Sequence, residues 1–354
     1  MQPPRDYAFV KTTESKAAAA ARIGAGLGRR KRAELLELLR PCFARVEPWL
    51  QAGKYAAALM SDLPRRNGWT LAERAGDRTP DRMQRLLSRA VWDAGAVIKV
   101  VRRFAVAGLD RAARLSGRRG LAVGAIDETS QDGQGERTAG VKRHYLGCAG
   151  KVANGITTVH LSYVRERTGH ALIGARQWIP EEHISDPVCS LVMGLPDDLV
   201  FHTKGELAID ILTEAFTDGA VFDFVCGDEV YGSCTKLREF LEGRHQAYVL
   251  RVPCSFPLTL ARGITRTCAD AATGLCKDPR RWEVRSAGLR WPVKEDFAFG
   301  KDCFGLDQSR PATPSAGRTG GAATKPSPAG TTCAPGSPTT PQLPWSVREW
   351  LLPY

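Results

Sequence analysis

The sequence contains no Cys-x-x-Cys pair, no G-x-x-x-x-G-K-[ST] loop and no apolar run approaching the roughly 20 residues that a bilayer span needs. Each absence excludes something. Zinc wants four ligands converging from short spacings. The ten cysteines and six histidines are scattered instead, so the thiols read as reduced, buried small hydrophobes. His160 in a strand and His202 before a helix read as structural. Without the phosphate loop, P-loop ATPase chemistry goes too. Gly24-Ala-Gly-Leu-Gly28 follows no strand, which removes the dinucleotide reading. The opening Met1-Gln-Pro-Pro-Arg-Asp6 leads to no apolar stretch, so a cytoplasmic protein is expected, with no membrane partner.

What is present is a 354-residue chain, 43% hydrophobic and 25% charged, long enough for two or three domains. The net charge of +12 is unevenly spread. Residues 1–60 hold 11 basic and 5 acidic side chains, and residues 61–120 hold 14 and 6. Residues 121–308 reverse the balance, with 21 basic and 26 acidic. A polyanion would be drawn to the first third, while carboxylates collect in the middle.

Residues 1–32 read as a flexible basic arm ending in Gly28-Arg-Arg-Lys-Arg32. From 33 to 117 the pattern is helical, interrupted at Arg40-Pro41. A short helix from Thr70 to Ala75 should stop at Gly76, whose lack of a Cβ suits a left-handed cap. Thr79 offers an N-cap oxygen and Pro80 suits the first helical position. The helix that follows, over 80–91, places Met83, Leu86, Leu87, Ala90 and Val91 on one face and Arg82, Arg85 and Arg89 on another. Two readings stay open: arginines set against DNA, as in helix-turn-helix units, or a solvated face of a bundle helix.

The apolar run Leu121-Ala-Val-Gly-Ala-Ile126 then reads as a buried strand ending in Asp127-Glu128. A second run, Val221-Phe-Asp-Phe-Val-Cys-Gly227, delivers Asp228-Glu229. The leading aspartates are 101 positions apart. Between them lie a polar, Gly-rich segment from Ser130 to about Lys142, strands over 156–163 and 170–179, an irregular stretch from Pro180 to Pro196, and a helix over 204–216. A helix over 235–241, a strand over 247–252 and a helical piece over 289–299 follow. Three meandering antiparallel strands, then parallel ones joined by helical crossovers, make a ribonuclease-H-like mixed sheet with flanking helices, in an α/β chain preceded by an all-helical domain. In that order Asp127 and Asp228 end neighbouring strands at one rim. A lone aspartate after a strand is commonly a turn or N-cap residue. Two of them at one rim could instead hold Mg²⁺ or Mn²⁺ in a two-metal site for phosphodiester chemistry.

Several blocks carry a resemblance. They are Val123-Gly-Ala-Ile-Asp-Glu-Thr129, Val141-Lys-Arg-His-Tyr-Leu-Gly-Cys-Ala-Gly150, Ala153-Asn-Gly155, Gly169-His-Ala-Leu-Ile173, Gly227-Asp-Glu-Val-Tyr-Gly232 and Tyr248-Val-Leu-Arg-Val-Pro253. In this order they resemble the DDE transposases of bacterial insertion sequences, in the group with a Tyr-x2-Arg-x3-Glu-x6-Lys signature, from about Phe43 to Ser309. The resemblance implies a helical DNA-binding domain over 33–117, a catalytic domain over 118–308, double-stranded DNA as partner, and metal-dependent cleavage and transfer of element ends by a possible homodimer. Asp127 and Asp228 match the first two catalytic acids, and Arg290 and Lys301 match the signature's cations.

The third acid departs from the pattern. The signature places it at 294, where this chain has Lys294, with Glu295 beside it; Ala287 stands where the tyrosine belongs. Glu295 is the remaining candidate for third catalytic and metal-binding acid. Only 67 positions separate Asp228 from Glu295, and Trp282–Gly288 runs straight into Leu289, as an internal deletion would leave it. Residues 309–354 turn Pro/Gly/Ser/Thr-rich, as after a reading-frame change, and should be disordered. The expectation is a transposase that is intact in descent and impaired in catalysis. Two alternatives stand beside it: a non-catalytic remnant that binds element ends or inhibits an intact enzyme, and a nuclease that cuts without joining.

Overall fold

The computed structural model describes residues 24, 26–117, 120–132, 138–146, 150–259, 263–276 and 294. Helix α1 covers 26–39, so it reaches back into the stretch read as a flexible arm. Arg40–Cys42 forms a turn of 3-10 helix at the expected interruption. Then come α2 (Val46–Leu59), α3 (Gly68–Arg74), α4 (Asp81–Ser88) and the long α5 (Ala94–Leu115). Asn67 caps α3 by accepting from the backbone of Trp69 and Thr70. Gly76 follows α3 with a φ of 76°, as its position demanded. Leu71, Ala72, Met83 and Leu86 close the small core between α2, α3 and α4.

Two local expectations here are corrected. Pro80, not Thr79, is the N-cap of α4, and Thr79 donates instead to Asp81 Oδ2 at 2.8 Å. The helix stops at Ser88, so Val91 lies beyond it and is 64% exposed. Its apolar face is therefore Met83 and Leu86, with Leu87 half-buried.

The sheet contains β1 (Ala122–Asp132), β2 (Lys142–Leu146), β3 (Lys151–Arg165), β4 (Gly169–Trp178), β5 (Phe224–Gly227) and β6 (Tyr248–Leu250). β1 and β4 flank β3, each antiparallel to it, and β2 continues the β4 edge of β3. β5 is parallel to β1, and β6 is parallel to β5. This is a ribonuclease-H-like mixed sheet with helices before and around it. β1 does not end at Asp127. It runs on to Asp132, because β3 offers a ladder as far as Gly155. The expected irregular stretch after β4 holds α6 (Glu181–Ser185) and α7 (Pro187–Met193), the latter capped by Asp186 with Pro187 at its first position. Then come α8 (Lys204–Thr217), α9 (Glu229–Gly232) and α10 (Thr235–Gly243); β7 (Pro257–Thr259), β8 (Thr265–Thr267) and α11 (Cys268–Cys276) end the described chain.

One sheet face buries Ile126, Val159, Leu161, Tyr163 and Ile173 against α5 and α8, whose Leu207, Ile211 and Leu212 meet it. The opposite face buries Val123, Ala125, Val164 and Cys226. The first face also carries an ionic knot. Arg102 of α5, 1% exposed, donates to Ile173 O at 2.8 Å, Asp218 Oδ2 at 2.6 Å and Glu214 Oε2 at 2.8 Å. Arg176 also binds Glu214, and Lys99 and Arg103 reach Asp218. Both acids sit at the C-terminal end of α8, where the helix dipole disfavours negative charge, and the four cations offset this. Cys42 and Cys226 are buried. Cys254 is exposed and Cys189, Cys234 and Cys268 are half-exposed, which corrects the picture of uniformly buried thiols. No helix among the described residues is long and apolar enough to cross a membrane.

Candidate metal centre

The rim begins with register. Asp223 Oδ2 accepts from Ala122 N at 2.6 Å, and Asp223 N donates to Ala122 O at 2.7 Å. This double link starts β5 alongside β1 with an offset of 101 residues, continued by Val123–Phe224 and Ala125–Cys226. Two residues further, the same offset aligns Asp127 with Asp228. The parallel pairing delivers both side chains to one end of the sheet, as the separation read from the sequence requires.

The carboxylates of Asp127, Glu128 and Asp228 approach so closely that one oxygen from each lies within 4.8 Å of the others. Asp127 is buried, and the other two are half-buried. The two aspartates also serve the backbone locally. Asp228 caps α9 by accepting from Val230 N at 3.0 Å, and Asp127 Oδ1 accepts from Glu128 N at 3.0 Å.

Glu128 is the member that sequence reasoning passed over. Strand alternation sends neighbouring side chains to opposite faces, which puts Glu128 on the α8 side. There its Oε2 accepts from Tyr231 OH at 2.8 Å and its Oε1 from Lys204 Nζ at 2.9 Å. Tyr231 is fully buried. Burial first, then the neighbouring charges of Glu128, Asp127 and Asp228, push its phenol well above the usual tyrosine range, so it stays a donor. Its place three residues after Asp228, on one turn of helix, was the available signal. Lys204 left none.

α9 fits this tightly because Gly232 lets it lie against the chain after β6. A Cβ at Gly232 would run into the carbonyl oxygen of Arg251 and meet Val252 Cγ1 at 3.1 Å. Gly232→Ala is therefore expected to destabilise the protein by about 1–3 kcal/mol, as overpacking does. Urea denaturation would show it as a lowered midpoint, and a midpoint equal to the wild type's would contradict the close packing of α9.

Lys294 enters from the other side. Its Nζ lies 3.2 Å from Asp127 Oδ2. The ammonium expected from the signature's departure thus meets the first aspartate directly. Glu295, Arg290 and Lys301 lie outside the described residues. Arg82 and Arg85 are exposed on α4, whereas Arg89, expected on the same helix, is exposed just past its end at Ser88; all three are far in sequence from the rim, and Arg82 lies 3.7 Å from Asp77.

Whether these residues suit a metal ion turns on their chemistry. Three carboxylate oxygens are hard donors of the kind Mg²⁺ and Mn²⁺ take. These oxygens, within 4.8 Å of one another, are near enough for one ion to draw on all three. The donor set fits a divalent cation, with Lys294 as its competitor at Asp127 and Lys204 already on Glu128.

A mixed sheet in this order, with acids gathered where β1 and β5 run side by side, defines the ribonuclease-H-like class. Within it, residues 39–274 match the family described as DDE superfamily endonuclease. The match spans two thirds of the chain, which belongs to that family. It stops 20 residues before Lys294. Comparison with curated proteins gave no match.

Proposed function

We propose that the chain is an insertion-sequence transposase by descent, acting on double-stranded DNA at element ends. The observation that carries this reading is the meeting of Asp127 and Asp228 at one rim, with Glu128 completing three carboxylates. Asp127 and Asp228 would hold Mg²⁺ or Mn²⁺, with Glu128 or Glu295 as the third acid. A bound divalent ion would supply Lewis acidity toward a phosphodiester oxygen. The protein's own residues do the rest. Tyr231 and Lys204 fix the Glu128 carboxylate, the Asp223 link fixes the spacing of the two aspartates, and the burial of Asp127 keeps bulk water from screening it. Arg82 and Arg85 on α4 and Arg89 just past its end, with Arg290 and Lys301, would contact DNA phosphates. The helices over 33–117 would carry most of the binding, in a chain that could act as a homodimer on DNA.

One observation favours the second reading, a DNA-binding remnant that occupies element ends or inhibits an intact enzyme. The Lys294–Asp127 ion pair places a fixed cation where a metal would otherwise gain most. Plasmid excision in Mn²⁺ separates the two. The unmodified chain is expected to excise weakly, and the double variant Lys294→Glu, Glu295→Lys more strongly. Robust excision by the unmodified chain would refute impairment. No excision by either protein, with DNA affinity intact, would favour the remnant.

A further inference from the structure

The hairpin of β2 and β3 extends the sheet past its rim. Gly155 pairs with Asp132 of β1 on one side and Lys142 of β2 on the other. Residues 151–154 of β3 pair with β2 beyond the end of β1. Cross-strand partners share a face, and alternation carries that face along each strand. Asp127 pairs with His160, so its face includes Thr158, Ile156, Asn154 and Val152 of β3. Val152 pairs with Tyr145 and Asn154 with Arg143, which brings both of those residues onto the same face.

This end of the face is open. Tyr145 is 64% exposed and Val152 54%, side by side. Arg143 is exposed and makes no ion pair among the described residues, unlike its neighbours Lys142, held by Glu182, and Lys151, held by Asp132. An amphipathic aromatic next to an uncommitted guanidinium suits the sugar–phosphate backbone: the ring packs on sugar and the fork takes phosphate. From the level of Asp127 to Val152 is eight strand residues, about 26 Å, or roughly eight base pairs of duplex.

We propose that Arg143 and Tyr145 form a second docking point for duplex DNA, holding the segment about eight base pairs from the carboxylate rim. This rests on the transposase-like reading of that rim and adds a surface it does not supply. A second copy of the chain is the weaker occupant. Two apolar side chains fall far short of the roughly 800 Å² per partner that a stable interface buries, and the uncommitted arginine would be buried with them.

The test is fluorescence anisotropy of the full chain with a labelled duplex of about 30 base pairs, across a salt series. Arg143→Gln is expected to weaken binding and reduce the salt slope by about one. Tyr145→Thr should weaken it about tenfold with the slope unchanged. Arg167→Gln, in the turn at the opposite end of β3, should do neither. Unchanged melting temperatures would show that each variant folds. If the wild type binds DNA and both hairpin variants bind equally well, this proposal fails and the reading of the rim stands. Should the wild type not bind DNA at all, both fail together. A drop in sedimenting mass for Tyr145→Thr, with DNA affinity intact, would make the hairpin a contact between copies and overturn the proposal.

Discussion

Replacing Lys294 with glutamine is expected to tighten Mn²⁺ binding by about ten- to a hundredfold. An ammonium 3.2 Å from Asp127 Oδ2 forms an ion pair with it. Unit charges about 4 Å apart interact by about 1 kcal/mol in water and about 4 kcal/mol near a protein surface, and each 1.4 kcal/mol is a factor of ten in affinity. A cation entering the rim must break that pair and then feels the displaced charge nearby. Half of the Lys294 side chain is open to solvent, which tempers the effect and sets the lower end of the range. Asp127 is closed off, which sets the upper end. Calorimetry without DNA reads the change directly, independent of any cutting. Asp127→Asn should abolish the gain when combined with Lys294→Gln, because the freed oxygen would then be neutral. Equal Mn²⁺ affinity in wild type and Lys294→Gln would show that the ion pair does not guard the rim.

Arg102→Ala should be the most damaging single change in the described fold, costing about 3–5 kcal/mol. Removing one member of a buried ionic group leaves the others desolvated without compensation. Here the loss strands Ile173 O and Asp218, while the more exposed Glu214 keeps its pair with Arg176. Lys99 at 3.7 Å and Arg103 at 3.1 Å remain near Asp218 and soften the blow there. They do not replace the bond to β4. Arg102→Lys should fail nearly as badly, since one ammonium cannot serve three acceptors spread around a planar fork. Chemical denaturation measures both variants. A midpoint for Arg102→Ala close to the wild type's would mean that α5 is held on the sheet by its apolar face alone.

The order of strands and crossovers was legible because apolar runs and helix periodicity are local. The pairing of β1 with β5 was legible because one separation, 101 residues, fits both the aspartates and the ladder. What escaped lies where residues are half-exposed. Thr129 to Asp132 and Lys142 to Tyr145 are too polar to announce strands, and only the ladder with β3 makes them so. The stretch from Pro180 to Pro196 read as irregular, yet Pro180 and Pro187 each stand at the start of a short helix. Glu128 was hidden for a different reason. Its neighbour Asp127 faces the other way along the strand, and the reach of Glu128 depends on Tyr231 and Lys204, more than 70 residues downstream. Lys294 was visible as the residue at the signature's acid position, but its ion pair with Asp127 was not.

Asp228 serves two masters. The carboxylate that caps the single turn of α9 also faces Asp127 and Glu128 across the rim. An ion arriving there would therefore draw on the same side chain as that turn, and Tyr231, held in the turn, would relay the adjustment to Glu128. Occupancy at the rim and the local breathing of four residues would then form a single equilibrium, to be followed by amide exchange at Val230 and Tyr231 without any DNA present.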